Sequence, residues 1–159
     1  MARKSMLFAV IVLASFFSAG CSEDSQEATV FEVLVENIST PQSFTAADES
    51  PLIAAFSSAL WAVHSTGTSA SGPFFTAGAP ARSNGLEAFA EDANPGARIQ
   101  ALTAADGVTI LGLVSETVSR EGLLGPAQQY RFLITAPQGE RLSLAMNFVQ
   151  GNDIFVSTP

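Results

Sequence analysis

His64 is the chain's only imidazole, and Ser57, Ser58, Ser65, Ser69 and Ser71 lie near it in sequence. A general base and a hydroxyl nucleophile could therefore meet here. Ser/His/Asp sets are defined by geometry rather than chain order, so spacing alone leaves this chemistry open. The sequence lacks the strained G-x-S-x-G turn that exposes a nucleophilic serine. His64 also ends an apolar stretch containing Trp61, which suits a partly buried imidazole held by the backbone. Glu87, Glu91 and Asp92 form a second group. Residues four apart share a helix face, so Glu87 and Glu91 are neighbours if this segment is helical. A carboxyl raised by burial could act there as a general acid, whereas a solvated acidic face would do no chemistry. Carboxylates and amide oxygens also bind calcium, and Asn152-Asp153 in a late turn adds to that set without EF-hand spacing. Phe74-Phe75, in a Gly/Pro loop, would either anchor a partner or plug the core beneath.

Composition removes other chemistries. The chain has 159 residues, a net charge of −8, one Cys and twelve Phe. One Cys forms no intramolecular disulfide, and one Cys with one His cannot complete a structural zinc set. The acidic balance argues against nucleic acid, whose phosphates need clustered Lys and Arg. At the N-terminus, Arg3-Lys4 precedes an uncharged apolar run, Met6 to Phe17, followed by Ser18-Ala19-Gly20 and Cys21. A basic segment, a short apolar core and small residues describe a signal peptide over residues 1–20. The run is short for a membrane-spanning helix, which needs about 20 apolar residues. Small residues leading into Cys21 resemble a bacterial lipobox, although Ser18 stands where Leu is favoured. The resemblance implies lipidation of Cys21 and anchoring to a membrane, facing the periplasm or cell surface. The alternative is an ordinary secretory signal. Losing Arg3 and Lys4 leaves five Arg against fifteen acids, a side-chain charge of −10.

The elements that would position these residues begin after an acidic tether over residues 21–28. From Thr29, Phe31, Val33 and Val35 alternate with Glu32, Leu34 and Glu36, a strand pattern. Residues 37–51 are rich in turn formers. Leu52 to Val63 reads as extended chain leading into a loop over residues 65–83. Asn84 to Asp92 reads as a short helix with Asn84 as N-cap, Glu87 completing a capping box, and Leu86, Phe89 and Ala90 inward. After Asn94-Pro95-Gly96, Ala97 to Ala104 forms a second helix with Ile99 and Leu102 inward. Val108 to Val114 reads as a buried strand. Tyr130 to Thr135, a turn at 136–140 and Leu142 to Val149 read as a hairpin, followed by a turn and a last strand at Ile154 to Val156. The pattern predicts one all-β domain over residues 29–159. It would be an antiparallel β-sandwich with one or two short helices in a crossing loop.

Several stretches together resemble the spondin N-terminal domain in its bacterial extracytoplasmic form. They are Phe31 to Ile38, Ser50 to Ile53, His64-Ser65, Ala81 to Asp92 with its G-L-E-A-F-A-E-D, Arg141 to Met146, and Asn152 to Val156. The resemblance covers roughly Thr29 to Val156. It implies a C2-like β-sandwich without catalytic activity, acting in binding or adhesion toward a protein or envelope ligand. It also implies a calcium site, for which Glu91 and Asp153 are the nearest candidates. Relatives continue into a further acidic segment after N-D-x-F-V, whereas this chain stops at Pro159. The domain is thus expected to be shortened at its C-terminus, with calcium binding weak or absent. A small hydrolase using His64 or Glu87/Glu91/Asp92 is the competing expectation.

Overall fold

The structure is a computed structural model that describes residues 11–13, 27–65, 67, 72–81, 84–114 and 122–158. It contains nine strands and two helices among those residues: β1 (Ile11–Leu13), β2 (Thr29–Glu36), β3 (Phe44–Thr45), β4 (Pro51–Leu52), β5 (Ala59–His64), α1 (Leu86–Asp92), α2 (Gly96–Thr103), β6 (Val108–Val114), β7 (Gln129–Ala136), β8 (Arg141–Asn147) and β9 (Phe155–Ser157). The fold is all-β, with antiparallel sheets and two short helices.

One sheet has the order β1-β2-β7, the other β6-β5-β8-β9, and β3-β4 is a small ribbon. The alternation along β2 and β7 turns Val33, Val35, Tyr130 and Ile134 inward. Ala59 and Val63 of β5 and Leu144 and Met146 of β8 join them in one buried cluster. Two sheets thus share an apolar interior, with Phe56 lodged within it and bridged to both Leu124 and Phe148. Trp61 stacks on Phe132 with ring centroids 5.9 Å apart. On the neighbouring strand Gly112 leaves room for the indole: a Cβ there would stand 2.5 Å from Trp61.

The second sheet is covered on its other face too. Leu60 and Ala62 of β5 and Ala145 of β8 form a separate buried cluster with Phe89 of α1, Leu102 of α2 and Phe74. A strand buried on both faces carries an apolar run without alternation, which is why β5 is ambiguous in sequence. The two short helices are present as expected, but they occupy the long connection between β5 and β6, neighbours in one sheet, rather than a loop that crosses between sheets.

Three expectations need correction. The expected hairpin of β7 and β8 does not form: β7 pairs with β2, while β8 pairs with β5 and β9. The turn at 137–140 carries the chain from one sheet to the other. Alternation specifies which face a residue takes, not which strand lies beside it. The local hairpin is instead β8–β9. Second, β6 is an edge strand rather than a buried one, with Ile110 38% and Leu113 42% exposed. Third, α1 has no capping box. Gly85 occupies the N-cap position in the left-handed region (φ 77°), and Asn84 Oδ1 accepts the Leu86 N–H from one residue further back. Gly85 is required there, because a Cβ would fall 2.3 Å from the Arg98 backbone nitrogen.

Of the expected signal peptide, only Ile11–Leu13 lies among the described residues, where it pairs with Glu32–Leu34 along the edge of β2. Cys21 and residues 21–26 lie outside them.

Candidate functional site

The residues with chemical potential gather around the helix-covered face of the second sheet. β5 directs Leu60, Ala62 and His64 to this side, and β8 directs Ser143, Ala145 and Asn147. Pairing of Ala62 with Ser143 and of His64 with Arg141 puts His64 and Ser143 diagonally opposite. His64 Nε2 lies 2.8 Å from Ser143 Oγ, and Nδ1 lies 3.1 Å from the Ser65 carbonyl oxygen. A carbonyl can only accept, so Nδ1 carries a proton, and in the neutral ring Nε2 then accepts from the serine hydroxyl. That is the tautomer a general base uses beside a nucleophile; among the described residues a backbone carbonyl stands where a triad has a carboxylate. The pair is closed, however: Ser143 is 0% and His64 2% exposed.

Among the described residues, the serine hydroxyl that meets His64 is therefore that of Ser143, not of Ser57, Ser58 or Ser65. Ser65 offers its carbonyl. Ser57 instead ties β8 to the chain before β5, its hydroxyl accepting from the Asn147 N–H and donating to the Ser58 carbonyl. Ser69 and Ser71 lie outside the described residues.

The acidic candidates are partly brought together. α1 carries Glu87, Glu91 and Asp92, and the β8–β9 turn carries Asn152 and Asp153. The fold sets the Glu91 and Asp153 carboxyl groups beside one another. That contact with Asp153, then its negative charge, raises the Glu91 carboxyl above its ordinary value, with slight desolvation and the charges of Glu87 and Asp92 adding. Two carboxylates in contact repel unless they share a proton or a cation. Asp153 itself sits in the left-handed backbone region, φ 61°, and the Asn152 amide lies 3.5 Å from its carboxylate. Glu91 and Asp153 are solvent-exposed. Among the described residues no three His, Cys, Asp or Glu side chains converge as a metal-binding group. As calcium ligands, Glu91, Asp153 and the Asn152 oxygen would supply about three to five of the six to eight oxygens required, short of a full set.

Phe74 and Phe75 work inward. Phe74 is 1% exposed in the helix-side cluster, and Phe75 meets Phe155 edge-on at 5.7 Å.

Sequence reasoning missed three groups here: Ser143, Asn147 and Arg98. Asn147 donates from its amide to the Ala90 carbonyl and so ties α1 to β8. Arg98 is 4% exposed and donates to the backbone carbonyls of Pro73, Phe74 and Asn84, fastening the 73–84 loop to α2. A usable signal was present: Arg98 stands four residues before Leu102 and so shares its inward face. Comparison with family models, curated proteins and solved structures finds no match to this chain.

Proposed function

We propose that this chain is a non-catalytic binding domain on the extracytoplasmic side of a membrane, anchored through Cys21, with a spondin-like, C2-like β-sandwich. The observation carrying the non-catalytic reading is the burial of His64 and Ser143, which leaves substrate no approach to the hydroxyl. The sandwich reading draws support from the single apolar cluster to which both large sheets contribute. The anchor reading draws support from Arg3-Lys4, the Met6–Phe17 run and the small residues before Cys21.

Contact with a protein or envelope ligand falls to the loops beside the Glu91–Asp153 pair, where the acidic chain concentrates charge. Calcium binding at this pair is weak or absent, because the pair brings few ligands. Titration calorimetry with Ca²⁺ tests this: a Kd tighter than about 10⁻⁴ M, the strong edge of the range for extracellular modules, overturns it. Intact mass spectrometry of the membrane fraction tests the anchor. A lipid-bearing N-terminal Cys21 is expected, and a mature chain starting elsewhere overturns it.

The hydrolase reading has one observation in its favour, the His64–Ser143 hydrogen bond in the competent tautomer. It requires the helix layer to lift from β8.

A further inference from the structure

Beside the helix layer lies a cavity of about 600 Å³, walled by the 72–81 loop, the start of α1 and one side of α2. Phe75, Pro80, Leu86 and Ala101 give it an apolar lining, and Arg98 forms part of the wall. This volume falls in the range of small-ligand pockets, which combine apolar walls with a few placed polar groups.

Arg98 is the unusual part of that wall. A guanidinium carries five N–H donors and a charge that is always present. Three backbone carbonyls receive it. Its Nε, withdrawn from solvent, has no acceptor. The described ion pair lies elsewhere, between the exposed Arg131 and Glu32. Asp106 also borders the cavity, on an exposed turn, without forming an ion pair with Arg98. Taking a charge out of water costs several kcal/mol unless an opposite charge and full hydrogen bonding offset it. Carbonyl dipoles offset part of that cost and leave the positive charge uncancelled. Burial also lowers the Arg98 pKa from its ordinary value, as expected for a cation short of compensation.

A loop staple would need only the three carbonyl contacts. It would not need a sizeable cavity beside the cation. We propose that this cavity binds a small organic monocarboxylate with a short, flat apolar body, its carboxylate directed to Arg98 and its body against Phe75, Pro80 and Ala101. A monoanion matches the single cation, whereas inorganic phosphate brings more charge toward Asp106 and offers no apolar body. The site is separate from the Glu91–Asp153 pair and does not depend on cation binding there.

The test is titration calorimetry with ligand-observed NMR on the folded chain in EDTA, with benzoate as the probe. Benzamide serves as its neutral isostere and inorganic phosphate as the bare anion. Benzoate is expected to saturate one site, with benzamide at least about tenfold weaker, since charge-assisted hydrogen bonds are roughly twice as strong as neutral ones. Phosphate is expected not to compete. Arg98→Met removes three loop contacts and can unfold the region, so Ala101→Phe is the deciding variant: it fills the cavity and keeps Arg98. It should abolish benzoate binding while the folded spectrum persists. Equal binding of benzoate and benzamide, competition by phosphate, no saturation by benzoate, or unchanged binding in Ala101→Phe would each overturn the proposal.

Discussion

The two faces of the β5–β8 sheet are closed by different means. Toward β2 and β7 the interface is mainly apolar: Val33, Val35, Val63, Leu144 and Met146 share one cluster, while the buried Asn37 amide donates to the Ala54 and Leu124 carbonyls and Tyr130 sends its hydroxyl to the Ser57 and Gly122 carbonyls. Toward the helices, apolar contacts among Leu60, Phe74, Phe89 and Leu102 are supplemented by His64, Ser143, Asn147 and Arg98, all buried and all committed to named partners. Apolar burial is non-directional and tolerates small shifts, whereas a buried polar group demands its partner in place. The first face therefore holds the fold together, and the second fixes where particular loops and helices sit. The candidate chemistry lies on or beside the second.

The strongest way to probe the first face is Phe56→Ala. Phe56 is buried against Phe148, with ring centroids 5.6 Å apart, and its removal should destabilise the domain by about 3–5 kcal/mol through lost transfer and a residual cavity. The urea midpoint should fall accordingly, and a loss below about 1 kcal/mol would mean that the interior is less tightly packed than its contacts indicate.

On the second face, Asn147→Ala should cost about 1–3 kcal/mol by leaving the buried Ala90 carbonyl without its donor. Hydrogen exchange should then show α1 amides opening while β2 and β7 stay protected. Equal loosening of both regions would contradict the distinction between the faces.

At the rim, Glu91→Gln should act in the opposite sense. The folded Glu91 pKa lies above its unfolded value of 4.5. The stability linked to it is thus present below that value and lost as pH rises through the folded pKa. Replacement by Gln removes the repulsion with Asp153. The variant should hold its thermal midpoint better than the wild type between acid and neutral pH, by a small margin suited to an exposed group. A steeper decline in the variant would reverse that assignment.

The smallest effect belongs to the outer surface of β2 and β7. Glu32 and Arg131 pair at 2.9 Å with both side chains well exposed. A double-mutant cycle should return about 0.2–1 kcal/mol, falling with added salt. A salt-insensitive coupling would be inconsistent with solvent exposure.

How much of this was legible in sequence follows the same division. β2 and β7 were readable because alternation reports a face buried on one side. Phe89 and Leu102 were readable because helical spacing does likewise. The partner of β8 was not readable, because an inter-sheet crossing and a hairpin share the same turn residues. Ser143 was missed as the partner of His64 because 79 residues separate them and only sheet register joins them. The meeting of Glu91 and Asp153 was anticipated as candidate residues, but their contact depends on the α1 C-terminus lying beside the β8–β9 turn. Arg98 was overlooked although its spacing from Leu102 marks an inward position, because its partners are backbone carbonyls, which side-chain patterns do not name.

The most direct test of the non-catalytic account is exposure of the folded chain to a fluorophosphonate, followed by intact and peptide mass spectrometry. The account predicts no adduct on Ser143, because the hydroxyl is enclosed beneath the helix layer and spent on His64. An adduct on Ser143 that disappears in His64→Gln would contradict it and establish the pair as an active nucleophile and base.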